Sequence, residues 1–198
     1  MKWYKYDIRD FSKIEYEKWF SLMNEDKRQK VVRFRFEDDK KRSVAGEMLA
    51  KKAIAEWCGM SAEKVVFALA ENGKPFAENA DAQFNISHSG NLVVCAVDDR
   101  PVGIDVEQIR HIDLKIAKRI YTDEELYYLF GFSPSDDDFY VLPDEGMLQR
   151  FFELWTAKEA NLKYTGAGIT ENLKTLSVNS EKIQKEYIDD YVITIYKD

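Results

Sequence analysis

Between Val65 and Val106 the chain carries four short runs of β-type residues, at 65–69, 84–86, 92–97 and 102–106, punctuated by Gly73-Lys74-Pro75, Ser89-Gly90-Asn91 and Asp98-Asp99-Arg100-Pro101. Apolar runs this short between turn formers are strands, and strands this close in sequence pair with one another. The flanks read differently. A strand at 3–8 precedes helical spacing at 14–23, with Asn24 as a cap, then at 27–36 and 38–57, where Val44, Met48, Ala53 and Trp57 recur and Gly59 supplies a stop. Beyond the strand cluster, helices are expected at 114–130 and 147–164, the latter ending at Thr165-Gly166-Ala167-Gly168, and strands at 176–178 and 187–196. The intervening segment 131–146, rich in acid, proline and glycine, is expected to be a mobile, solvated loop. Helices and strands gathered in separate stretches predict an α+β fold. A cut near Gly103 leaves two parts of similar length, 1–103 and 104–198, each mixing helix with strand, as two α/β lobes sharing a cleft would.

The charge balance narrows the partners. Lysine and arginine total 29 and aspartate and glutamate 36, a net charge of −7, which argues against a general nucleic-acid or membrane-surface binder. Two cysteines, Cys58 and Cys95, are too few for a disulfide framework and lack metal-knuckle spacing, which predicts a reduced, cytoplasmic setting. The amino-terminal residues lack the apolar run of a signal peptide, and no stretch approaches the roughly eighteen apolar residues of a membrane span.

Chemistry is concentrated in a few places. In Gly103-Ile104-Asp105-Val106-Glu107, strand alternation puts Asp105 and Glu107 on one face while Ile104 and Val106 face the core. Side-by-side carboxylates repel, and a hard divalent cation such as Mg²⁺ would relieve them; an ordinary half-exposed strand explains the same pattern. On the helix at 147–164, positions 148, 152, 155, 159 and 162 read Leu, Phe, Trp, Glu, Leu, so Glu159 interrupts an apolar stripe. A carboxylate there needs a partner: a metal, or Lys163 one turn on as an intrahelical ion pair. Asn85-Ile86-Ser87-His88-Ser89-Gly90 offers a hydroxyl, an imidazole and a flexible turn to an anion, although adjacent strand residues point to opposite faces, so Ser87 and His88 are poorly placed as a nucleophile and its base. From Lys27 to Arg42 eight basic residues stand against three acids. That is a solvated helix face or a site for phosphates, to which Lys74 could add a contact.

The order of these fragments is Gly-Lys-Pro, Phe-Asn-Ile-Ser-His-Ser, Val-Gly-Ile-Asp-Val-Glu and Phe-Glu-Leu-Trp-Thr-Ala-Lys-Glu-Ala-Asn-Leu-Lys. It resembles the 4′-phosphopantetheinyl transferases, specifically the larger surfactin-synthetase-activating type with two similar lobes in one chain, over residues 27–168. The resemblance implies small, mainly antiparallel sheets packed with helices and an active site between the lobes, the first binding the phosphates of coenzyme A and the second carrying metal ligands and carrier docking. It implies transfer of phosphopantetheine from coenzyme A to a serine of an acyl or peptidyl carrier protein. By motif position Asp105, Glu107 and Glu159 are the implied Mg²⁺ ligands. Lys163 faces the pyrophosphate, with Glu159 as a possible base for the serine, and Lys27, Lys30, Arg42, Lys74, Ser87, His88 and Lys158 hold the nucleotide and its phosphates; Trp155 is structural. The segment Arg110 to Arg119, alternating basic and apolar residues, suits an acidic carrier helix, and two fused lobes imply a monomer. Two other classes stay open: a non-catalytic module that binds coenzyme A and a carrier, and a metal-dependent nucleotide pyrophosphohydrolase.

Overall fold

The computed structural model describes residues 1–166, 173–176 and 178–198. Strand β1 (Lys2–Asp7) leads into α1 (Lys13–Ser21), α2 (Glu25–Val32) and the long α3 (Glu37–Cys58). The hairpin β2 (Phe67–Leu69) and β3 (Pro75–Ala77) precedes β4 (Gln83–Ser89), β5 (Leu92–Asp98) and β6 (Val102–Gln108). Three helices follow, α4 (Ala117–Ile120), α5 (Asp123–Phe130) and α6 (Glu145–Thr165), and the chain closes with β7 (Ile183–Ile188) and β8 (Tyr191–Lys197). Two antiparallel three-stranded sheets, β1-β5-β4 and β6-β8-β7, make the α+β frame.

Local chemistry sets the helix ends. Ser12 accepts from the Glu15 amide and Asn24 from the Lys27 amide, so α1 and α2 begin where a short polar side chain can satisfy a free N–H. Three acids, Glu37, Asp38 and Asp39, open α3 at the positive end of its dipole, and Gly59, at φ 67°, closes it in the left-handed conformation.

Strand β5 is buried at every position because its two faces meet different layers. Val93, Cys95 and Val97 pack under α3 against Val44, Met48 and Ile54. Leu92, Val94 and Ala96 pack against Val102, Ile104, Val106, Ile193 and Ile195 of the second sheet. Each such side chain contributes about 1.5–3 kcal/mol by leaving water. The opposite face of the second sheet is covered by α6. There Gly103 is in direct contact with helix backbone: a Cβ on it would lie 1.9 Å from the Ala160 carbonyl oxygen and 2.7 Å from the Tyr164 amide nitrogen. The expected division at Gly103 falls inside β6, and the turn Asp99–Pro101 separates the sheets.

Several expectations need correction. The helix expected at 114–130 is broken, with a 3-10 turn at Leu114–Ile116, α4, an extended Tyr121 and then α5. A capping box between Thr122 and Glu125 starts a new helix there, overriding the continuous apolar pattern. Helix α2 stops at Val32, and Phe36 serves as the N-cap position of α3. The strand expected at 187–196 is a hairpin turning at Asp189, whose φ of 51° lets the chain reverse. Leu176 and Val178 lie outside any strand, whereas Ser177 and the Ala167-Gly168 part of the helix stop are outside the described residues. The segment 131–146 is not simply a solvated insertion, because it contains a 3-10 turn at Asp136–Tyr140 held by a Ser135–Asp138 capping box and buries Phe139 against Phe130.

One buried charge ties α5, α6 and β7 together. The Glu153 carboxylate, 5% exposed as a residue, accepts from Tyr187 Oη at 2.7 Å, Tyr128 Oη at 2.8 Å, Gln149 Nε2 at 3.0 Å and Lys185 Nζ at 3.2 Å. Burial pushes its pKa up, but the hydrogen bonds from Tyr187, Tyr128 and Gln149 and the Lys185 charge outweigh it and hold the group below the ordinary glutamate value. A depressed folded-state pKa adds stability above the unfolded value, which is lost as pH falls through the folded one. Glu153→Gln is therefore expected to lower the melting temperature at pH 7 and to differ much less from wild type near pH 3. An equal gap at both values would show that the charge contributes nothing.

Candidate active site

The two sheets present neighbouring edges, β4 and β6, and side chains of β4 rather than a backbone ladder bridge them. The residues at alternate positions 85, 87 and 89 share one face of β4. Asn85 Oδ1 accepts from the Ile104 amide at 3.2 Å, Ser87 Oγ donates to Asp105 Oδ1 at 2.7 Å, and Ser89 Oγ donates to Glu107 Oε2 at 2.7 Å while accepting from the Gln108 amide at 3.1 Å. Because Ile104 and Val106 go to the sheet–sheet core, Asp105 and Glu107 face α6, as their alternation predicts.

Helix α6 brings Lys163 onto this seam. Its Nζ lies 2.7 Å from Asp105 Oδ1, 2.8 Å from Ser87 Oγ and 3.2 Å from the Ile104 carbonyl oxygen. Lys163 thus pairs with Asp105 across the layers, not with Glu159 along the helix. A cavity of about 280 Å³ opens here, lined by Ile86, Ser87, His88, Asp105, Glu107, Trp155, Glu159 and Lys163. Trp155, expected to be structural, belongs to its wall. Glu159 is half-buried beside the other two acids; burial first, then Asp105 and Glu107, push its pKa up, with Lys163 opposing. Burial likewise raises Glu107, against the hydrogen bond from Ser89. Burial, with repulsion from Arg42 and Lys163, lowers the pKa of His88, which favours its neutral form.

The expected convergence of Asp105, Glu107 and Glu159 on one Mg²⁺ is met only as far as a shared cavity. Among the described residues no group of three or more His, Cys, Asp or Glu side chains is arranged to hold a metal ion, and Asp105 Oδ1 already serves Lys163 and Ser87. The donor chemistry nonetheless suits a hard divalent cation: all three candidates offer carboxylate oxygens, and Asp105 Oδ2 is buried with no hydrogen-bond partner.

The residues expected to hold phosphates separate. Ser87, His88 and Lys163 line the cavity. Arg42 donates to the Gly90 carbonyl at 2.7 Å and pairs with Asp39, its charge felt at His88. Lys74 reaches across from the β2–β3 turn to the Lys163 carbonyl at 2.9 Å, and its neighbour Asn72 donates to the Gly166 carbonyl at 3.1 Å. Lys27 and Lys30 are on α2, the first half-buried and the second exposed, and neither lines the cavity. Lys158 is placed elsewhere altogether. Only 1% exposed, it pairs with Glu125 at 2.9 Å and donates to the Leu173 and Leu176 carbonyls at 2.7 and 3.0 Å, so it fixes α5 and the chain after α6. Ser89 and Asn85 are site residues that sequence reasoning did not single out, although the polar alternation 85-87-89 marked them.

Beside this cavity lies a larger groove of about 410 Å³, lined by Glu107, Arg110, His111, Ile112, Asp113, Ile116, Phe151, Phe152 and Trp155. It shares Glu107 and Trp155 with the first and holds no other candidate carboxylate from the Asp-x-Glu and α6 motifs, so the three candidate acids gather at the smaller space. No helix among the described residues is long and apolar enough to cross a membrane.

Residues 10–100 match the family described as 4′-phosphopantetheinyl transferase, N-terminal, and residues 101–196 match the 4′-phosphopantetheinyl transferase superfamily. The chain is 40% identical over 153 residues to the 4′-phosphopantetheinyl transferase psf-1 of Bacillus pumilus, a stretch covering 77% of this chain and 61% of that protein. It is 34% identical over 174 residues to Sfp of Bacillus subtilis (strain 168), covering 87% and 73%, and 34% identical over 164 residues to gsp of Aneurinibacillus migulanus, covering 83% and 65%. The chain thus spans between about three fifths and three quarters of the length of these relatives.

Proposed function

The chain belongs to the 4′-phosphopantetheinyl transferase superfamily, and on that premise we propose that it moves the 4′-phosphopantetheine arm of coenzyme A onto a serine of an apo acyl or peptidyl carrier protein. The observation that carries this reading is the seam cavity, where Asp105, Glu107, Glu159 and Lys163 stand together beside Ser87 and His88.

The reaction makes one P–O bond and breaks another. The carrier serine oxygen attacks the phosphorus bearing the pantetheine arm, and adenosine 3′,5′-bisphosphate leaves with the bridging oxygen of the pyrophosphate. Charge spreads over phosphoryl oxygens in such a displacement, so fixed positive charge and orientation matter more than covalent help. Lys163 supplies an ammonium whose direction is set by Asp105 and Ser87. His88 offers a ring N–H to the phosphates, Ser87 gives its proton to Asp105 and so orients the Lys163 ammonium, and Arg42 adds charge beside them. Glu159, made a better base by burial and by two like-charged neighbours, takes the serine proton directly or through a water. Asp105, Glu107 and Glu159 would hold a magnesium ion, which when bound neutralises the pyrophosphate oxygens.

The first half, 1–103, contributes phosphate-binding groups and the second, 104–198, the carboxylates and Lys163. The enzyme acts in the cytoplasm, a reading supported by its two free thiols, and as a monomer, in keeping with two halves joined in one chain.

The test is incubation with coenzyme A, Mg²⁺ and a panel of apo carrier proteins, followed by intact-mass measurement. A gain of one phosphopantetheine on a carrier is expected. Unmodified carriers with coenzyme A still bound would point to a binding module, and coenzyme A consumed without any carrier would point to a pyrophosphohydrolase.

A further inference from the structure

We infer that Ser89 is a positioning residue that holds the Glu107 carboxylate in place, on the wall between two neighbouring cavities, for a cation. The inference rests on the proposed cation-binding role of Glu107.

Glu107 lies on the wall between the 280 Å³ cavity and the 410 Å³ groove. Charges on both sides act on its carboxylate. Asp105, two residues away on the same face of β6, repels it, while Arg110 on the groove wall and Lys163 on the cavity wall both attract it. The Ser89 hydroxyl fixes it between them, donating to Glu107 Oε2 at 2.7 Å. Its own direction is fixed, because its oxygen accepts from the Gln108 amide at 3.1 Å, which leaves its single proton for the carboxylate. Its backbone has little room to move either. Ser89 pairs with Leu92 in the β4–β5 hairpin, which turns through the following Gly90 at φ 53°.

The pairing repeats, two residues along both strands, the bond from Ser87 to Asp105. Ser87 additionally touches Lys163, whereas Ser89 touches the carboxylate and the backbone of its neighbour. Held through one oxygen by Ser89, Glu107 keeps its other oxygen and its remaining lone pairs for a cation. Such outer hydrogen bonds orient ligating carboxylates, and their loss typically weakens metal binding about 10- to 100-fold.

The test is calorimetric titration with Mn²⁺, without coenzyme A or carrier, on the wild type and on Ser89→Ala, Ser89→Thr and Glu107→Gln, each also melted thermally. Ser89→Ala is expected to weaken Mn²⁺ binding about tenfold. Ser89→Thr, which keeps the hydroxyl on a residue suited to a strand, is expected to restore it. Wild-type affinity in Ser89→Ala beside a weakened Glu107→Gln would overturn the positioning role and leave the cation site standing. A Thr variant as weak as the Ala variant, both melting early, would make Ser89 merely structural. Wild-type affinity in Glu107→Gln would overturn the cation site and the inference together.

Discussion

Glu159→Gln is expected to reduce carrier modification by about 10³-fold, within the range for loss of a general base, while the protein melts no lower than wild type. The two halves of this expectation have one cause. Glu159 is charged against burial and against Asp105 and Glu107, with Lys163 the compensating neighbour and already paired to Asp105. The neutral amide fills the same space and removes that repulsion, so the fold gains or holds even while the proposed reaction loses the proton acceptor and oxygen donor assigned to Glu159. Function maintained at a cost in stability is common where like charges are gathered for chemistry. Initial rates from the mass assay and a thermal melt check both parts. A variant turning over within tenfold of wild type would remove Glu159 from the reaction, and a melt several degrees lower would show it to be a structural group.

The second large effect is structural. Gly103→Ala puts a methyl 1.9 Å from the Ala160 carbonyl oxygen and 2.7 Å from the Tyr164 amide nitrogen, both backbone atoms of α6 that no rotamer change can move. The helix must lift from β6 or the strand must bend. Overpacking of this kind costs about 3 kcal/mol, which for a chain of this size lowers the melting temperature by roughly 6–12 °C. Activity should fall by more than the lost folded fraction explains, because the same lift carries Lys163 away from Asp105 and Ser87. A melt within 2 °C of wild type, by calorimetry or circular dichroism, would contradict the close approach of helix and strand.

What was legible in the sequence was local. Asp105 and Glu107 share a face, with Ile104 and Val106 in the core, because strand alternation depends on nothing distant. The Asn24 cap and the Gly59 stop needed only their own neighbours. Helix α6 was harder, since a one-stripe reading assumes one buried side. Its buried residues include Phe151, Phe152, Glu153, Thr156, Lys158, Ala160 and Asn161, spread around much of the helix, because β6, β8 and α5 all pack on it. Glu159 therefore drew attention as a charge in an apolar stripe and proves half-buried on a cavity wall. The deeply buried charges, Glu153 and Lys158, passed unremarked or misassigned, their partners Tyr187, Lys185 and Glu125 being distant in sequence. The break at Thr122 carried its own Thr-x-x-Glu signature, which the surrounding apolar run outweighed. The turn at Asp189 offered no glycine or asparagine to announce it.

Asn85, Ser87 and Ser89 join the β4 edge to the β6 edge by side-chain hydrogen bonds, and that has an evolutionary consequence. In a continuous backbone ladder the distance between strands is the same for every sequence. Here the reach of three side chains sets it, so one substitution can widen or narrow the gap at a single rung while each sheet keeps its own register. Point changes along one strand can thus alter the width of the seam cavity without rebuilding either half.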